Sequence, residues 1–332
     1  MLYVSTRNPV DSFTAHRALC EERTPDGGWF IPMRFPSFTE TDLEKFSRLS
    51  FGETVAYILN LFFKCELTGW DIDSCVGRHP YKLVHMNHKL LVCELWHNHK
   101  LDYTYLQKRI YKKLLADRTI VTEPTFWFKI VVGIAVLCAL WGEVASSEQE
   151  SVDISISTDE MAVSIALYFA KRMGLPVGKL IYASKDDSAL WELLNHAETN
   201  CVNSPIQPMI EYLLYDLFGW KETASFIKRI NNGKNYSISE ENAELRPKEI
   251  YASVIGERRI DSLRTSIYRS CGYIPDKNVT LSFGGLQNYR AQTGCSKTTL
   301  LLEVHNPAQY DAEISNQLGI SKDEMNAIIN NI

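Results

Sequence analysis

What the chain lacks narrows its identity first. It has no Cys-x-x-Cys pair. Its eight cysteines (Cys20, Cys65, Cys75, Cys93, Cys138, Cys201, Cys271 and Cys295) are scattered. That distribution argues against a disulfide frame and for buried thiols in a reducing, cytoplasmic setting, as where Cys138 sits between Leu137 and Ala139. The longest apolar run, Ile130 to Trp141, is too short to span a bilayer and fits a buried helix. The opening Met1-Leu2-Tyr3-Val4-Ser5-Thr6-Arg7 has no signal-peptide layout. Glycine is scarce, 17 in 332 residues, and neither doublet, Gly27-Gly28 or Gly284-Gly285, opens a helix directly after a clear strand as a phosphate cradle does. No Gly-x-Ser-x-Gly elbow occurs, which removes the usual serine hydrolase. No basic patch offsets the net charge of -5, so neither nucleic acid nor an anionic membrane is expected as a partner. There is no internal repeat.

What is present reads as a soluble α/β protein large enough for a substantial core. Thr39 with Asp42, and Ser50 with Glu53, mark two capped helix starts. After Ser50, Val55, Ile58, Leu59 and Phe62 repeat at helical spacing, a core stripe. Lys89 to Trp96 reads as a buried strand and Leu106 to Leu115 as a helix. A short polar stretch then leads to an apolar helix from Phe126 to Trp141. Past the acidic loop Glu143 to Glu150 come a strand at Val152 to Ile156, a helix at Glu160 to Met173 and a strand at Lys179 to Ala183. A helix at Asp187 to His196 follows. Alternation at this spacing predicts a largely parallel sheet flanked by helices. Ser204 to Tyr273 reads as mostly helical. Thr299 to Val304 reads as a last strand, and Ser321 with Glu324 caps a last helix.

Several stretches, in order, carry a resemblance. They are Tyr3-Val4-Ser5-Thr6-Arg7 with Ser12-Phe13, Asp26-Gly27-Gly28-Trp29-Phe30-Ile31-Pro32, and Tyr168 through Ile181. Ser204-Pro205, Gly272-Tyr273 and His305-Asn306-Pro307-Ala308-Gln309-Tyr310 complete the set. Together they resemble the threonine synthase family, enzymes of pyridoxal-phosphate fold type II. The resemblance implies a tryptophan-synthase-β-type large domain with a mostly parallel sheet. Residues 1–80 form the family's N-terminal segment and 81–332 the large-domain remnant, packed as one unit.

The same resemblance implies lost chemistry. The family's Schiff-base lysine follows a Glu-Leu-aromatic-His strand end, here Glu94-Leu95-Trp96-His97, and counting on places Thr104 at the lysine position. A hydroxyl forms no imine. Lys100 and Lys108 lie four residues to either side, one helical turn or about 13 Å of strand. Where the family has a glycine-rich loop, this chain has Ser157-Thr158-Asp159-Glu160-Met161-Ala162, whose carboxylates repel a phosphate. Asp276-Lys277-Asn278 replaces a Pro-His pair. The small cofactor subdomain that follows the lysine helix, on the order of a hundred residues, is largely missing, because Leu115 leads almost directly to Phe126. No pyridoxal phosphate is therefore expected.

Five histidines crowd residues 79–99. Of these His85, His97 and His99 are metal candidates, yet no standard zinc spacing joins them. Losing a subdomain uncovers surface that must turn polar, repack or meet a partner. The reading is a non-catalytic binding or assembly subunit, in a biosynthetic complex, with a protein partner or a second copy at the old cleft: Glu94, Trp96, His97, Tyr103, Phe126, Trp127 and Phe128. One alternative is an enzyme that reuses the cleft without the cofactor, through Glu94 or a histidine site, on a small-molecule ligand. A further one is half of a split enzyme, against which Thr104 argues.

Overall fold

The computed structural model describes every residue except 79, 98–102, 116–122, 146–150, 186–188, 196–197, 200–207, 239 and 332. His99, Lys100, Cys201 and the Ser204-Pro205 pair lie outside the described residues. The chain opens with β1 (Leu2–Ser5), β2 (Phe13–Thr14), α1 (Ala15–Cys20) and β3 (Phe30–Pro32), where the three strands form a small antiparallel sheet in the order β2-β1-β3. Then come α2 (Glu40–Phe46), α3 (Phe51–Phe63) and α4 (Gly69–Val76). Thr39, Ser50 and Thr68 each start one of these helices with a reciprocal capping box, to Asp42, Glu53 and Asp71.

The main sheet is built from β4 (Lys82–Asn87), β5 (Leu90–Glu94), β6 (Asp153–Ser157), β7 (Leu180–Lys185), β10 (Ile250–Ile255) and β11 (Thr299–Glu303). Between β5 and β6 lie α5 (Tyr103–Leu115) and α6 (Phe126–Ala145), and α7 (Met161–Arg172) joins β6 to β7. Before β10 come α8 (Ala189–Asn195), the two-residue strands β8 (Glu198–Thr199) and β9 (Tyr236–Ser237), α9 (Pro208–Asn231) and α10 (Glu240–Ala243). After β10 follow α11 (Glu257–Cys271) and α12 (Lys277–Thr293), and α13 (Asp311–Leu318) and α14 (Lys322–Asn331) end the chain. The strand order is β10-β7-β6-β11-β5-β4. All neighbours are parallel except β4, which pairs antiparallel with β5.

Both faces of the sheet are covered, which is why its central strands read as nearly continuous apolar runs. Leu90, Val92, Ile181 and Leu301 face Ile267, Val279, Leu286 and Tyr289 of α11 and α12. Their alternates Leu91, Cys93, Tyr182, Leu300 and Leu302 join the larger core that holds α3, α6 and α7. That core also contains Tyr3, Phe30 and Ile31, so the N-terminal sheet and the main sheet share one interior. Side chains tie the two as well. Arg7 pairs with buried Glu211 of α9 at 3.0 Å, Tyr212 donates to the Phe30 carbonyl at 3.0 Å, and Tyr111 donates to the Leu19 carbonyl at 2.8 Å.

The largely parallel sheet flanked by helices is as expected from the sequence, but α12, which covers one of its faces, falls where the sequence reading places no element. Strand β10 falls within a segment that reads as helical, and the hairpin strand β4 and the N-terminal sheet were likewise not anticipated. Helix α6 runs four residues further than its apolar pattern. Phe126–Val144 is long and apolar enough to cross a membrane, but 83% of that window is buried inside the fold. It approaches its neighbours through glycine. A Cβ on Gly142 would lie 2.0 Å from the Phe46 carbonyl oxygen, and one on Gly133 would lie 2.6 Å from the Ala166 Cβ.

Candidate functional site

In an open parallel sheet the crevice for a ligand lies at the carboxyl ends of the strands. Here β5 and β11 end side by side in register on Glu94 and Glu303, both buried. Residues paired across a parallel ladder share a face, so two carboxyl groups meet where like charges repel. The α11–α12 connection fills the space above them. Tyr273 brings its hydroxyl to 2.5 Å from Glu303 Oε2 and 3.1 Å from Glu94 Oε1. Trp96 Nε1 donates to Glu303 Oε2 at 2.7 Å, and the Asp276 backbone N–H donates to Glu303 Oε1 at 2.9 Å.

A phenol has one proton, so Tyr273 cannot donate a full hydrogen bond to both of its carboxyl neighbours at once. Protonation of one of the pair would satisfy both contacts. The electrostatics agree. Burial, then the adjacent Asp276 carboxylate, pushes Glu303 well above the usual carboxylate range, while Tyr273 and the Asp276 N–H oppose it. Burial raises Glu94 to about 6 against the Tyr273 hydrogen bond. Asp276, the N-cap of α12 whose Oδ1 accepts from the Val279 N–H at 2.7 Å, is raised to about 7 by burial, with the Glu160 charge adding to it.

Two histidines flank this interior on its open side. His97 Nδ1 lies 2.9 Å from Glu94 Oε2, and the imidazole is partly exposed. His305, just past β11, lies 3.0 Å through Nε2 from Glu160 Oε1, which also accepts from Asn278 Nδ2 at 2.5 Å. Glu160 stands at the head of α7, where Ser157 ends β6 and its hydroxyl accepts from the Asp159 N–H. Helix N-termini favour negative charge, and here Asp159 and Glu160 supply it from the chain itself. Thr158 is buried, Asp159 exposed, and Met161 and Ala162 are half-buried in the first turn of α7. Thr104 is half-buried in the first turn of α5, and Lys108, one turn on, pairs with Glu123 at 2.9 Å.

The structure thus brings Glu94, Trp96, His97 and Glu160 to one end of the sheet, and it adds Tyr273, Asp276, Glu303 and His305, whose joint role the sequence does not disclose. A glutamate closing the apolar strand Thr299-Leu300-Leu301-Leu302-Glu303 is the one visible signal. His85 does not join them. It is exposed on β4 opposite Leu91, and no group of acids, histidines or cysteines able to hold a metal occurs among the described residues.

The aromatic part of the expected partner surface needs correction. Trp127 is 2% and Phe128 0% exposed. Trp127 is enclosed by the chain's own Tyr3, Phe35, Phe62, Phe169 and Tyr212, and Phe128 by Phe63 and Tyr111. Phe126 is half-buried against Trp29 and Tyr212. Tyr103 and Trp96 are also buried. An apolar helix must be covered, and the N-terminal sheet, α3, α7 and the first half of α9 do so. Of the seven cleft positions only His97 and Phe126 stay partly open.

Comparison with known proteins decides the scaffold. Residues 2–79 match the family model described as the threonine synthase N terminus. The chain is threonine-synthase-like. A solved threonine synthase from Brucella melitensis, described as bound to PLP, superposes with a TM-score of 0.79 at 17% identity, over 97% of this chain and 92% of that one. The yeast threonine synthase gives 0.78 at 14% identity over 96% and 90%, and that from Escherichia coli 0.74 at 12% over 97% and 92%. No curated protein sequence matches significantly. At these identities the likeness to solved structures is one of fold.

Proposed function

We propose that this threonine-synthase-like chain has given up pyridoxal-phosphate chemistry and acts as a cytoplasmic binding or assembly subunit. One observation carries the reading: Glu160 is fixed by Asn278 and His305 at the head of α7, so a carboxylate occupies the helix start where the resemblance calls for a phosphate-holding glycine loop. The rest of the site fits the cofactor no better. Thr104 offers no amine, Lys108 is engaged by Glu123, and the interior at the ends of β5 and β11 is lined by the carboxyls of Glu94, Asp276 and Glu303. An anion brought into this interior meets buried acids whose raised pKa values already register the cost of negative charge there. The described thiols are all free, in keeping with a reducing compartment.

Incubation with pyridoxal phosphate, borohydride reduction and peptide mapping provide the test. No stoichiometric adduct is expected; one buried lysine modified to completion would overturn the reading.

A second reading is favoured by the His97–Glu94 pair. A carboxylate that orients an imidazole at a crevice can serve a general base. It predicts that the native protein turns over some component of a metabolite extract and that His97→Gln does not, as followed by mass spectrometry.

A further inference from the structure

A cavity of about 580 Å³ lies between the α2–α3 corner, α4 and the C-terminal end of α6. It shares no residue with the carboxylate site described above. Its size is that of a small-molecule pocket. Three of its lining residues are unusual. Trp70, in the first turn of α4, is 74% exposed, the most exposed tryptophan among the described residues. Asp73, one turn further, has a buried Oδ1 with no hydrogen-bond partner. Arg78, just past the helix end at Gly77, is exposed and makes no ion pair or hydrogen bond among the described residues.

Opposite charges that share a cavity ordinarily close on each other, because a buried carboxylate oxygen without a donor is costly, by about 1–3 kcal/mol. Here they do not. Arg78 and Asp73 line one cavity yet form no salt bridge. The same cavity is also lined by the aromatics Trp70, Phe51 and Tyr81, the last two edge to face at 5.7 Å. Tyr81 is held in place by donating to Glu143 Oε2 at 2.5 Å. Glycine shapes the floor. A Cβ on Gly52 would fall 2.3 Å from Asp73 Oδ1 and one on Gly69 2.6 Å from the Glu53 side chain, so larger residues would displace the acid side chains from their present positions.

A cation and an anion that line one cavity with aromatic side chains, and do not pair with each other, match a molecule that carries both charges and a flat apolar group. We infer that this cavity is a binding site for a free aromatic α-amino acid, with its carboxylate on Arg78, its ammonium on Asp73 and its ring against Trp70 and Tyr81. A bound ammonium gives the Asp73 carboxylate, which no cation among the described residues pairs, a counter-ion, and a bound carboxylate gives Arg78 its own.

The test uses the full chain and three probes in isothermal titration calorimetry: L-phenylalanine, L-phenylalaninamide, which lacks the carboxylate, and 3-phenylpropionate, which lacks the ammonium. L-Phenylalanine is expected to bind with a change in tryptophan fluorescence that Trp70→Ala abolishes, and each half-probe to bind at least about tenfold more weakly. Arg78→Gln should erase the advantage over the amide, and Asp73→Asn the advantage over 3-phenylpropionate. Equal binding of all three probes, no binding of phenylalanine at about 10 mM, or selectivity unchanged by Arg78→Gln overturns the proposal. Arg78 is exposed, so that variant decides the matter even if Asp73→Asn does not fold. Failure here leaves the binding-subunit reading untouched, since the cofactor test addresses different residues.

Discussion

At the scale of single residues, the notable group is the set of acids under the α11–α12 connection, and it gives the protein an inverted pH response. A carboxyl whose folded-state pKa is raised binds more protons folded than unfolded. Its stabilising contribution is then complete below the unfolded pKa and is lost as pH climbs through the folded one. For Asp276, raised to about 7 from an unfolded value of roughly 4, that loss spans the interval between those two values. Glu94, raised to about 6, acts in the same direction over a narrower interval. The melting temperature should therefore fall between mildly acid and neutral pH, by on the order of 5 °C. Asp276→Asn should flatten the slope while keeping the helix cap, because asparagine caps as well as aspartate. Calorimetry across that range, wild type against variant, checks it, and a slope of opposite sign would show that the acids are ionised together. Half of this cluster was open to reading in advance. Glu94, Trp96 and His97 belong to one short motif, whereas Glu303 and Tyr273 reach them only through pairings about 200 residues apart in the chain, a distance over which no local pattern carries information.

Among the elements, those with strong periodicity or a two-sided burial pattern were legible: α3, α6, α7 and the central strands β5, β6, β7 and β11. The edge strands were not. Strand β4 is intermediate or exposed along its whole length, with no clean alternation, and β10 is half-covered between two helical stretches. Both owe their form to the strand beside them. The kink in α9 was equally hidden. Gly219 interrupts the helix at φ 80°, ψ 174°, with open space around its missing side chain, so its need for glycine is one of backbone conformation and not of room. That region of the map is essentially closed to other residues. Gly219→Ala should cost about 1–3 kcal/mol, measurable by urea unfolding. A cost near zero would mean that the two halves of α9 can straighten without loss.

For the whole molecule, α6 keeps no bare apolar face among the described residues, since 83% of its apolar window is buried. Trp127→Glu should consequently unfold the protein, at a cost of several kcal/mol, and not release a folded, smaller assembly. Circular dichroism with size-exclusion chromatography separates the two, and a folded variant of reduced size would return Trp127 to an interface. The order of the strands carries one more consequence, which concerns biosynthesis. Strand β11 is the last to leave the ribosome but lies in the middle of the sheet, between β6 and β5. Until residue 303 is free, β5 and β6 each expose an unpaired apolar flank, and the two halves of the sheet have no ladder between them. At 5–20 residues per second that exposure lasts roughly ten seconds or more for β5. Nascent chains stalled short of β11 should therefore be the aggregation-prone and chaperone-bound species, and the seam of the sheet closes only once β11 has emerged.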